Sequence, residues 1–171
     1  ESLGGNESYR QRELQQCFVG RSAELAEMRV ALENASGGAG QLVYVFGEAG
    51  IGKSALVREF TFYATERGVL GLEARCAPET RGISLHPWVQ AVGQIRSLLP
   101  FLPQTLEHSI NAAKARTRSG MVSEGYSETI LSVISKLAAI TPIVIVIEDL
   151  QWADLASLEL LDLLESVVES Q

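Results

Sequence analysis

Along this chain, short continuous apolar runs alternate with longer segments in which apolar residues recur every three or four positions. Leu25, Met28 and Leu32 have the second spacing and predict a helix over 22–34, ended by the loop Ser36-Gly37-Gly38-Ala39-Gly40. Leu42-Val43-Tyr44-Val45-Phe46 has the first, and no polar position interrupts it. Such a run predicts a strand covered on both faces, as in a parallel sheet between helix layers. Helical spacing returns over 53–67, where Leu56, Val57, Phe60 and Tyr63 are expected to point inward and Gly68 to end the helix. Val69–Ala74 predicts a second strand. Pro87 opens another helix, where its missing N–H costs little; Trp88, Val92, Ile95 and Leu99 share one face and Pro100 ends it. Residues 100–123 show little periodicity. A helix resumes near Ser123 with Tyr126, Ile130, Ile134 and Leu137 in register, and Pro142 closes it. Ile143–Ile147 predicts a third buried strand, which ends in Glu148-Asp149. The last helix is expected over 154–168, with Leu158, Leu161, Leu164 and Val168 inward. Strands alternating with helices imply right-handed crossovers and an α/β layered sheet. No internal repeat is visible.

Composition narrows the class. A length of 171 residues suits one domain, expected over 17–171, behind a polar stretch at 1–16 that reads as a flexible tail or linker. No apolar run approaches the roughly 18 residues of a membrane-spanning helix, and the amino end has no secretory pattern. The absence of an initiator Met suggests a piece cut from something longer. Cys17 and Cys76 are too far apart for a disulfide framework or metal motif, so they read as reduced thiols in a cytoplasmic protein. A formal net charge of −7 argues against direct nucleic-acid binding, and a solvated helix face accounts for the short basic cluster Lys114, Arg116 and Arg118.

The sharpest signal is Gly47-Glu48-Ala49-Gly50-Ile51-Gly52-Lys53-Ser54, which matches G-x-x-x-x-G-K-[ST] at every fixed position. It follows a predicted strand and opens a predicted helix, the context this motif requires. Glycines let successive N–H groups turn inward as an anion nest, and the helix adds the positive end of its dipole. Lys53 brings a point charge to β- and γ-phosphates, and Ser54 offers a hydroxyl to Mg²⁺. The plain alternative is a glycine-rich turn with a solvated lysine. ATP (or ADP) with Mg²⁺ is the expected ligand. Glu148 and Asp149 close a hydrophobic strand, the Walker B arrangement, and the glycine loop should reach the same edge of the sheet. Glu148 is assigned to the metal through water and Asp149 to polarising the attacking water; either carboxylate can reach the site, so the division stays open. Acids of this kind also occur simply as solubilising strand ends.

Phe18-Val19-Gly20-Arg21-Ser22-Ala23-Glu24-Leu25, the loop at 47–54 and Glu148-Asp149-Leu150-Gln151-Trp152-Ala153-Asp154 together resemble the signal-transduction ATPases with numerous domains, relatives of the AAA+ ATPases. The nearest flavour is that of large ATP-binding LuxR-type regulators and of ATPases fused to cyclases or kinases. The resemblance covers residues 17–171 and implies a P-loop NTPase three-layer sandwich. It puts Val19 and Arg21 near the adenine; a turn before a helix is the bland reading of both. Asp154 reads as the cap of the last helix, Trp152 as a packing residue and His86 as structural. The family's first acid is commonly Asp, so Glu148 sets hydrolysis in doubt more than binding. The family sheet has strand order 5-1-4-3-2, and only the first three strands are found here. The fourth would lie between Leu42–Phe46 and Ile143–Ile147, so a fragment truncated after the third strand is expected, completed by the rest of its own protein, by rearrangement or by self-association.

Three functions fit the sequence: a nucleotide-dependent regulatory ATPase, slow or inactive as this piece alone; a non-hydrolysing nucleotide-binding scaffold; and, fitting less well, a P-loop phosphotransferase using Arg116 and Arg118.

Overall fold

A computed structural model describes residues 20–99, 101–118 and 125–169. The tail at 1–16 and Val19 lie outside the described residues. Helix α1 (Ser22–Ser36) buries Leu25, Met28 and Leu32, the stripe its spacing predicts. Helix α2 (Lys53–Thr65) follows the glycine loop and buries Leu56, Phe60, Thr61 and Ala64, leaving Val57 and Tyr63 half-buried. Thr61 tolerates burial because its hydroxyl donates to Val57 O at 2.9 Å. Strand β1 (Leu70–Arg75) leads through a short turn at Pro78–Thr80 to α3 (His86–Leu98). Next come α4 (Gln104–Arg118) and α5 (Tyr126–Ala138). Strand β2 (Ile143–Glu148), a turn at Leu150–Trp152 and α6 (Leu155–Glu169) complete the order.

The two strands pair in parallel, from Leu70 opposite Ile143 to Arg75 opposite Glu148. Parallel pairing needs a long crossover, and α3, α4 and α5 supply it. Helices cover both faces. On one, Leu25, Met28, Leu32, Leu56, Phe60, Ala64 and Val69 pack together with Val45 and Val144. On the other, α3, α4, α5 and α6 gather around Leu72 and Ala74, with Ile143, Ile145 and Ile147 against them. The alternating side chains of β2 thus serve two cores, which is why an all-apolar run forms this strand. No helix among the described residues is long and apolar enough to cross a membrane.

Three expectations are corrected. Leu42–Phe46 is not a strand: it has no ladder, and Val43, Tyr44 and Phe46 are exposed. A strand exists only through a partner's hydrogen bonds, and no described strand bonds to this segment. Tyr44 and Phe46 instead stack on each other, with ring centroids 5.8 Å apart. Second, residues 104–118 are helical. Leu106, Ile110 and Ala113 recur at helical spacing and are buried, a stripe too sparse to stand out among polar neighbours. Third, α6 turns Leu160 and Ser157 fully inward, while Leu158 is exposed and Leu161 and Leu164 are half-buried.

Candidate functional site

The glycine loop joins the unpaired segment at 42–46 to the start of α2. Gly50 and Gly52 have φ of 79° and 93°, the left-handed region that side chains other than glycine enter at a cost. Gly52 is the residue before the first helical turn, so the N–H groups of Lys53 and Ser54 have no acceptor within the helix. Those donors and the helix dipole make the loop receptive to an anion. Lys53 folds back into the loop, its Nζ donating to Gly47 O at 2.6 Å and to Glu48 O at 2.8 Å. One ammonium proton is left for a phosphate oxygen. Ile51 N–H closes a turn on Glu48 O at 3.4 Å. Outside the loop, Arg21 donates to Ile51 O at 2.7 Å. In the structure, then, Arg21 braces the glycine loop.

The acids lie at the same end of the sheet. The carboxyl end of α2 is tied to the amino end of β1, with Val69 N–H donating to Ala64 O at 3.2 Å. Helix α2 packs along both strands, so its amino end, carrying the loop, lies toward the carboxyl ends of β1 and β2. Glu148 is the last residue of β2, opposite Arg75. Asp149 leaves the strand in a left-handed conformation, φ 58°, which an aspartate tolerates better than most side chains. That bend turns its carboxylate to Arg75, whose Nε donates to Oδ2 at 2.7 Å. Gln151 Nε2 approaches Oδ1 at 3.3 Å. The carboxylate beside it raises the Arg75 guanidinium further above its ordinary value, chiefly through this hydrogen bond.

Behind the acids, Asp154 caps α6. Its Oδ1 accepts from Ser157 N–H at 3.0 Å and from Leu85 N–H at 3.1 Å, and its Oδ2 accepts from the Ser157 hydroxyl at 2.5 Å. Trp88 Nε1 donates to Ser157 O at 3.0 Å, tying α3 to the same turn. Cys76 follows β1, only 2% exposed, and its thiol is pushed above its usual value by burial and then by Asp154 and Asp149. Trp152 is partly exposed at the turn and His86 is the first residue of α3.

The donor set fits a nucleoside triphosphate with Mg²⁺. A free Lys53 proton and unmet N–H groups suit the phosphates, while Ser54 and one strand-end carboxylate are enough for a metal that keeps most of its waters. No group of three or more His, Cys, Asp or Glu side chains among the described residues forms a cage that would hold a metal by protein ligands alone. Sequence reasoning missed Arg75. Its only signal was an arginine ending a strand expected to be a neighbour of the acidic one. The basic residues Arg116 and Arg118 have side chains outside the described residues.

No curated protein and no solved structure matches the chain. A family model does: that of the AAA ATPase domain matches residues 17–171. With its glycine loop and strand-end acids brought to one end of a parallel sheet, the chain belongs to the AAA ATPase domain family.

Proposed function

We propose that the chain is an ATP- and Mg²⁺-binding regulatory module, a nucleotide-dependent switch within a larger signalling or transcription-regulating protein. The observation that carries the reading is the glycine loop itself, with Lys53 held inside it and glycines in the left-handed region at positions 50 and 52. In this reading Gly47–Ser54 cradle the phosphates, and the metal would be held by the Ser54 hydroxyl and, through water, by Glu148. When bound, Mg²⁺ would supply charge neutralisation to the phosphate chain. Asp149 orients and polarises the attacking water, and Arg21 keeps the loop in shape from outside. A ligand shifts a two-state protein only by binding the states unequally, and the loop and acids are the parts that can sense the γ-phosphate. Phosphate release by the full-length protein tests the reading. Slow turnover that falls at least about a hundredfold in Asp149→Asn supports it; fast turnover that ignores the substitution sinks it.

The Arg75–Asp149 bridge favours a second reading, a nucleotide-binding scaffold that does not hydrolyse. With Oδ2 of Asp149 already accepting from Arg75, that oxygen is not free to accept from an attacking water. Full-length protein that binds ATP and releases no phosphate would select this reading.

A further inference from the structure

The carboxyl-terminal half of the outer edge of β1 is met by side chains. In a parallel pair, alternate residues turn both backbone groups toward the partner and the residues between turn both away. Leu70 N–H donates to Pro142 O at 2.9 Å and Cys76 N–H to Glu148 O at 2.9 Å, so the even-numbered residues of β1 face β2. Gly71, Glu73 and Arg75 therefore present their N–H and C=O groups to the outer edge, where a further strand would normally bond. There Gln94 meets Glu73 with both ends of its amide: Oε1 accepts from Glu73 N–H at 3.1 Å, and Nε2 donates to Glu73 O. One turn earlier on α3, Gln90 Oε1 accepts from Arg75 N–H at 3.0 Å. The spacing makes this possible. Four helical residues rise about 6 Å, close to the roughly 6.6 Å of two strand residues. Two glutamines four apart on α3, running against β1, thus meet alternate residues of the strand as a neighbouring strand would.

We propose that Gln90 and Gln94 are a side-chain strand that closes the carboxyl-terminal half of the β1 edge against pairing with a second copy of this chain. The roles of the two differ. Gln94 both accepts and donates, so glutamate cannot replace it; Gln90 only accepts, so glutamate can.

Amide hydrogen exchange by NMR on the whole chain, with sedimentation velocity beside it, tests this. In wild type the Glu73 and Arg75 amides are protected. Gln94→Ala and Gln94→Glu should each speed exchange at Glu73 about tenfold or more, while Leu72 and Ala74, bonded to β2, change by less than about twofold. Gln90→Glu should keep Arg75 protected and Gln90→Ala should expose it. The double variant Gln90→Ala/Gln94→Ala should self-associate at concentrations where wild type associates less. Equal exchange at Glu73 in wild type and variants overturns the proposal. So does protection lost in step at Leu72 and Ala74, which would make the glutamines ordinary supports of the strand, or a double variant that associates no more than wild type.

Discussion

Arg75 and Asp149 face each other across the ends of β1 and β2, and their pairing decides what Asp149 can do. A guanidinium on one carboxylate oxygen holds the side chain in place and occupies an oxygen that could otherwise accept from the attacking water. Arg75→Ala should leave ATP affinity within about twofold, since the loop does the binding, and raise phosphate release per bound ATP by up to about tenfold. A fall in release, measured in the same full-length assay, would make Arg75 a support for Asp149 instead of a restraint on it. Cys76 offers a pH test. Its folded thiol lies above the ordinary value, so the folded state favours the neutral form. The associated stability is fully present below the unfolded thiol value of about 8.5 and is lost as pH rises through the folded value. Denaturant midpoints measured from pH 7 to 10 should therefore fall at the alkaline end, and Cys76→Ala should flatten that fall. These residue roles were unevenly legible. The glycine motif carries its chemistry in fixed spacing, so Lys53 and Ser54 could be read at once. Arg75 could not, because its partner is 74 positions away and only the pairing of the strands joins them.

At the scale of elements, α6 is set by its cap and by one leucine. Asp154 holds the first turn of α6 and the backbone entering α3, so Asp154→Ala should cost more than the typical ~1 kcal/mol of a lost N-cap. Leu160, fully buried, should cost about 2–5 kcal/mol on truncation to alanine, whereas the exposed Leu158 should cost little; urea midpoints of the two variants check the pair. That contrast marks where the sequence misled. Leu158, Leu160, Leu161 and Leu164 all fit some helical stripe, and in so leucine-rich a helix only packing selects the inner one. Periodicity served well where apolar residues are sparse on one face, as in α1, and poorly where they are nearly everywhere. The run at 42–46 failed for a different reason. Its composition is that of a buried strand, but pairing is supplied by a neighbour, and composition does not reveal whether that neighbour is there.

Across the whole molecule, the sheet has two unlike edges. Glutamines meet β1, while Ile143, Ile145 and Ile147 of β2 turn their backbone groups to the side where no described strand lies. Val43, Tyr44 and Phe46 are also exposed. An α/β layered architecture was legible because strand-like runs alternate with helical ones; the unequal edges were not, because side-chain capping by glutamine leaves no pattern in hydrophobicity. Nucleotide binding by this architecture depends on a working phosphate cradle at residues 47–54. A calorimetric titration of the chain with ATP and Mg²⁺, beside Lys53→Ala, tests it most directly. Loss of a charge-assisted phosphate contact should weaken binding by about 1.5–3 kcal/mol, roughly tenfold to a hundredfold. Equal affinity of the two proteins, or no binding by folded wild type, would contradict the account.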